Sequence, residues 1–155
     1  QMPQIGKGTE EDITQLLELI KELAKFEKAE EEVIMTEEIL LKDGFGDNKL
    51  FDFIVAEQDG KIVGIALYFY KYSTWKGKSI HLEDLIVKEH LRKNGIGTLL
   101  FEEVLQIAKK EKVSRFEWQV LDWNEAAINF YDKYGTQYGN EWLNARLTFE
   151  QLQAM

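Results

Sequence analysis

"HLEDLIVKEHLRKNGIGTLL", residues 81–100, decides how the rest of this chain reads. An apolar run, Leu85-Ile86-Val87, gives way to charged residues. Two glycines, Gly95 and Gly97, then stand one residue apart behind Arg92 and Lys93, and helical spacing begins at Thr98. The order is strand, connector, helix. Glycines at such a junction let backbone N–H groups close on an anion, but they also serve an ordinary α/β turn. A dinucleotide fingerprint would want a small residue where Leu100 stands, and the Gly-Lys-Ser/Thr of a P-loop is absent. The context favours an anion. The amides of Lys93, Asn94, Gly95, Ile96, Gly97 and Thr98 can wrap a diphosphate, with Arg92 or Lys93 adding charge.

Working outward, Thr9 with Asp12 resembles a capping box ahead of a helix to about Phe26, whose apolar stripe is Ile13, Leu16, Leu17, Ile20, Leu23 and Ala24. Thr36 caps a short helix ending near Gly44. "FDFIVAEQ" and "KIVGIALYFYKYS" flank Asp59-Gly60, a hairpin signal, and "KSIHLEDLIV" is the next strand. A helix from Thr98 to Lys112 is followed by a strand in "SRFEWQVLDW". Asn124 caps a helix to Tyr134 that Gly135 stops, and "NARLTFEQL" reads as a last strand. The expectation is one α/β domain spanning 1–155 with a mixed sheet.

Composition narrows the function. The chain has 155 residues, 45% of them hydrophobic, enough for a sizeable core. The net charge of −9 argues against nucleic acid, which needs a basic face. It suits cationic small molecules, or simply a solvated surface. The absence of cysteine excludes a disulfide scaffold, a thiolate zinc site and a cysteine nucleophile, and fits a cytoplasmic location. The apolar runs are too short and too broken by charge for a membrane span, and none reads as a signal peptide. Gln1 ahead of Met2 reads as a remnant before a native start. With His81 and His90 the only histidines, and no ordered carboxylate loop, no metal site is expected.

Two further stretches bear on chemistry. Glu83 and Asp84 interrupt an apolar strand and break its period of two. A bulge would turn both acids toward one cleft; an edge strand would leave one of them facing water. A buried carboxylate would have its pKa raised into the range of a useful base. In "DWNEAAINFYDKYG", Tyr131 is either core or a general acid.

Taken together, these residues resemble the GNAT superfamily of acetyl-CoA-dependent N-acetyltransferases. The Arg/Gln-x-x-Gly-x-Gly/Ala signature is met by Arg92, Gly95 and Gly97, and a later strand-Asn-helix-Tyr element by Asn124 and Tyr131. "ELAKFEK", "KDGFGDN", "YSTWKGKSIHLEDLIV" and "VLDWNEAAINFY" are similar to the diamine acetyltransferase branch. The resemblance implies a mostly antiparallel mixed sheet flanked by helices and splayed at a cofactor cleft. It implies acetyl-CoA as co-substrate, with Leu85, Ile86 and Val87 on the pantetheine arm and Arg92 to Thr98 on the pyrophosphate. Asn124, Glu125, Ala126 and Ala127 would line the cofactor's inner end. Tyr131 would protonate the departing thiolate, and Glu83 would take the amine proton through water. Phe26, Glu27, Trp75, Asp84, Glu117, Trp118 and Gln119 match positions near the amine pocket. A homodimer is implied as well.

Within the branch, Phe26 stands where the polyamine-acetylating member would have tyrosine, and Ser73 where it would have an acid. The expected substrate is therefore a small thialysine- or lysine-like amine, whose carboxylate can meet Lys76 or Lys78. Alternatives are a polyamine or diamine acetyltransferase and a non-catalytic acetyl-CoA-binding module.

Overall fold

Alternating apolar residues and a two-residue turn build the centre of the fold. β2 (Asp52–Gln58) and β3 (Lys61–Ser73) form a hairpin around Asp59 and Gly60, whose φ values of 53° and 77° are those of a primed turn. β1 (Gln4–Lys7) pairs antiparallel with β2, and β4 (Gly77–Val87) pairs antiparallel with β3. β5 (Phe116–Trp118) is parallel to β4, giving a sheet ordered β1-β2-β3-β4-β5. The computed structural model describes residues 2–155; Gln1, and with it the reading of a remnant, lies outside the described residues. The chain divides into two units, Gln1–Gln119, which holds this sheet, and Val120–Met155.

In the first unit, α1 (Ile13–Phe26) and α2 (Glu37–Phe45) cover one face of the sheet. Ile13, Leu16, Leu17, Leu19 and Leu40 pack with Phe53, Val55, Ile65, Leu67 and Ile86. Each such side chain, fully buried, stabilises the fold by roughly 1.5–3 kcal/mol. The caps are those read from sequence. Asp12 accepts from the Thr9 amide at 2.9 Å, and Thr36 Oγ1 accepts from the Ile39 amide at 3.1 Å.

α3 (Ile96–Glu111) packs on the opposite face, which the pleat assigns to Gly64, Ala66, Tyr68 and Tyr70. Gly64 lets it close in. A Cβ there would lie 2.9 Å from both the Ile86 carbonyl oxygen and Leu100 Cδ1. α3 begins two residues earlier than the spacing suggests, because Gly95, at φ 84°, makes the turn and releases Ile96 and Gly97 into the helix.

β5 is shorter than "SRFEWQVLDW" implies. It pairs with β4 only at Ile80, His81 and Leu82. Beyond Leu82 a bulge turns β4, and the residues after Trp118 have no ladder to join.

The second unit holds α4 (Glu125–Asp132) and α5 (Phe149–Gln153). Asn124 Oδ1 caps α4 by accepting from the Ala127 amide at 3.2 Å. Turns of i→i+3 bonds close α4 after Asp132, and Gly135 follows at φ 72°. The strand expected in "NARLTFEQL" is instead a helix start. Thr148 Oγ1 accepts from the Gln151 amide at 3.2 Å, and Gln151 Oε1 accepts from the Thr148 amide at 2.9 Å. This reciprocal capping box decides the local structure against the β-leaning residues before it.

Candidate functional site

The register of β3 against β4 slips between Leu67 and Tyr68: Leu67 lies opposite Asp84 and Tyr68 opposite Leu82. Glu83 is the extra residue. The two acids therefore sit at a bulge, just past the point where β4 stops pairing with β5. Asp84 takes the face of Leu67 and α1, where burial, then Glu83, then Glu27 push its carboxyl from the ordinary 3.8 up to about 7. Burial also raises Glu27, at the end of α1. The Glu83 side chain is 54% exposed. One half-buried acid near neutral pKa beside an accessible one is a pair suited to hold a cation and take a proton from it.

After Leu82, the edge of β4 that faced β5 carries no strand among the described residues, which leaves Glu83 to Val87 splayed from β5. Leu85 and Ile86 keep their pairing to Ala66 and Ile65 on the other edge. The Val87 carbonyl accepts from Arg92 Nε at 3.2 Å, and the Arg92 guanidinium lies 4.9 Å from the Phe26 ring centre. Arg92 thus ties the connector to both β4 and the end of α1.

The connector turns twice through left-handed backbone, at Lys93 (φ 70°) and Gly95 (φ 84°). The amides of residues 93–98 make no bond to another backbone carbonyl among the described residues, and the intrahelical ladder takes over with the Leu99 amide on the Gly95 carbonyl. A Cβ on Gly97 would meet only Val87 Cγ2, at 3.8 Å, so the space over this glycine is open. Free amides, a helix start and an open glycine form a cradle for an anion.

The remaining residues assigned to an amine pocket are dispersed. Glu117 lies opposite His81 and on its face, held by Lys71 at 3.2 Å and Arg115 at 3.7 Å. Trp118 lies opposite Leu82 on the α3 face, 5.2 Å from Phe101 in an edge-on contact. Trp75 is 92% exposed at the β3–β4 turn. Six residue steps along β4 lead from Gly77 to Glu83, so that turn is roughly 20 Å from the acids. Gln119 closes the first unit. Ser73 Oγ accepts from the amides of Trp75 and Lys76, and Lys78 is bound to Glu111 at 2.9 Å on the α3 side.

In the second unit, α4 carries Glu125, Ala126 and Ala127 in its first turn and Tyr131 near its end. Tyr131 is buried, and burial, with Tyr138 adding, pushes its hydroxyl up to about 12. The hydroxyl therefore keeps its proton at neutral pH, the state a proton donor needs.

Two residues escaped the sequence reading. Gly64 sets the approach of α3, and a glycine inside an otherwise apolar strand was the signal for it. His81 contacts Glu83, with Nε2 3.6 Å from Oε1, and only the alternation of β4 could have pointed to it.

The sequence matches the acetyltransferase (GNAT) family over residues 13–136. Thialysine N-epsilon-acetyltransferase of Mus musculus is 38% identical, over 97% of this chain and 95% of that protein. Spermidine/spermine N(1)-acetyltransferase-like protein 1 of Homo sapiens is 37% identical, over 85% of this chain and 20% of its own length. Among solved structures, an integron cassette protein from the mobile metagenome of V. cholerae has the same fold, with a TM-score of 0.80 at 21% identity over 99% of this chain and 97% of that one. The chain belongs to the acetyltransferase (GNAT) family and is an acetyltransferase.

Proposed function

We propose that the protein moves the acetyl group of acetyl-CoA onto the primary amine of a small cationic substrate of the thialysine or lysine type. The observation that carries the reading is the bulge at Glu83 and Asp84, on the same strand whose splayed end leads into the amide cradle of residues 93–98. The family match runs from 13 to 136, through the boundary between the two units, which supports one acetyltransferase domain over 1–155.

Acetyl-CoA supplies an activated thioester. The amides of Lys93 to Thr98, with Arg92, hold its pyrophosphate, and the strand edge at Leu85 to Val87 offers its free backbone groups to the pantetheine arm. Asn124 to Ala127 line its inner end. Glu27 and Asp84 attract the ammonium group, whose pKa of about 10.4 leaves almost none of it neutral at pH 7. Glu83 accepts the ammonium proton, directly or through water, and frees the nitrogen to attack. Tyr131 donates to the departing thiolate and is reprotonated by the second proton that the acylated nitrogen sheds. The chain has no cysteine, so direct transfer with both substrates bound is the simplest sequence of steps.

The substrate choice rests on one position and one relative. Phe26 offers an aromatic face to Arg92 and no hydroxyl, the uncharged Ser73 is engaged in the β3–β4 turn far from the acids and takes no part in the choice, and the relative in Mus musculus is named for thialysine. Of the two lysines expected to meet a substrate carboxylate, Lys78 is taken by Glu111 and Lys76 lies in the distant β3–β4 turn, so neither reaches an amine held at the acids. A cytoplasmic homodimer completes the reading. The lack of cysteine supports the compartment, and the family resemblance supports the second copy. Acetyl-CoA turnover against thialysine, lysine, ornithine, putrescine, spermidine and spermine tests the reading. No turnover with any of them, together with no binding of acetyl-CoA, would refute it.

A further inference from the structure

His81 is an ionisable neighbour of the Glu83 carboxylate, and its own surroundings restrict what it can do there. Its side chain is only 12% exposed, with Nε2 3.6 Å from Glu83 Oε1. Its Nδ1 is buried and has no hydrogen-bond partner among the described residues. The ring lies 5.0 Å from that of Phe69, its register partner on β3. Glu117, its register partner on β5, is engaged by Lys71 and Arg115. Asp84 is the other acid of β4 near this bulge.

A buried Nδ1–H without an acceptor would carry a desolvation cost, whereas a bare nitrogen lone pair at that position costs less. The arrangement therefore favours the ring's proton on Nε2, the nitrogen that faces Glu83. The ring is thus set as a donor aimed at Glu83. At 3.6 Å the two atoms are in ion-pair contact and not yet hydrogen-bonded. Glu83 is more than half exposed, so its carboxylate has room to turn toward the ring.

We propose that His81 is a positioning residue: through Nε2–H it fixes the Glu83 carboxylate in the orientation that takes the proton from the substrate amine. This rests on the assignment of Glu83 as the base. No proton is passed on by His81. The ammonium proton moves to Glu83, the nitrogen lone pair attacks the thioester, and His81 keeps its own proton throughout.

The test compares His81→Phe, which keeps the ring packing and loses the donor, with His81→Gln, which restores an N–H, using acetyl-CoA with thialysine and with spermidine. His81→Phe is expected to lower kcat about tenfold, the loss of one hydrogen bond to a charged group. The KM for acetyl-CoA should hold. A donor stabilises the carboxylate, so its removal should also shift the acid limb of the kcat/KM profile to higher pH. His81→Gln should recover most of both effects. In a Glu83→Gln background, His81→Phe should cost nothing more. Wild-type kcat and an unmoved acid limb in His81→Phe, or equal impairment in His81→Gln, would overturn the proposal. Full turnover by Glu83→Gln would instead remove Glu83 as the base, and this role with it. Nitrogen NMR of the wild-type imidazole tests the same point without a variant: the Nε2–H tautomer is expected near neutral pH, and the Nδ1–H tautomer would overturn it.

Discussion

Replacing Asp84 by asparagine removes the most perturbed carboxyl at the bulge and keeps its size. Burial first, then the negative charges of Glu83 and Glu27, raise that carboxyl from 3.8 to about 7. Folding therefore takes up a proton between those two values. The stability of the protonated form is fully present below 3.8 and is lost as pH rises through about 7. At about 1.36 kcal/mol per pH unit, the full gap sets a ceiling of roughly 4 kcal/mol on the cost of the ionised form. Roughly 3 kcal/mol of that ceiling accrues between about pH 5 and pH 8. Relaxation and water contact reduce it, so Asp84→Asn should gain roughly 1–3 kcal/mol relative to wild type over that interval. Urea unfolding of both proteins at the two pH values measures the difference. Parallel stabilities would show that Asp84 ionises normally and would refute the electrostatic account of the bulge. An amine bound at Asp84 favours the charged form, so calorimetry in buffers of different ionisation enthalpy should detect proton release on binding at pH 7.

Two other substitutions separate function from folding. Gly97→Ala adds a methyl in open space within a helix and should raise stability by roughly 0.5–1 kcal/mol. The same methyl should weaken acetyl-CoA binding measured by calorimetry; unchanged affinity would move the phosphates away from this cradle. Tyr131→Phe keeps the buried ring and should lower kcat by about 10²–10⁴-fold, with acetyl-CoA binding retained. Undiminished kcat in a folded variant, with chemistry limiting the rate, would return Tyr131 to the role of core residue.

The parts of the fold governed by local chemistry were legible in the sequence. Asp59-Gly60 specifies its turn whatever packs around it, and Thr36 and Asn124 cap helices through their own side chains. The broken alternation at Glu83-Asp84 left a bulge and an edge strand both open; the register slip supplies the bulge, and Glu83, past the pairing with β5, is more than half exposed. Features set by distant partners were not legible. The length of β5 depends on where β4 turns away, and the start of α3 on the left-handed backbone at Gly95. α5 was missed for a local reason: Thr148 and Gln151 make a capping box, but the apolar residues around them share the composition of a strand. At the site, the motif residues on β4 and the connector come together, whereas Trp75 and Trp118 match by sequence position and are held elsewhere by the hairpin and by the α3 face. His81 gave no signal, because a histidine in a half-buried strand is ordinary until its neighbours are known.

The central claim is acetyl transfer to a compact primary amine, and the ratio of kcat/KM for thialysine to that for spermidine, with acetyl-CoA saturating, tests it most directly because that ratio measures discrimination itself. A polyamine finds no hydroxyl at Phe26, so thialysine is expected to be preferred by about tenfold or more, the value of one lost polar contact. A clear preference for spermidine would contradict the substrate assignment and leave the acetyltransferase standing.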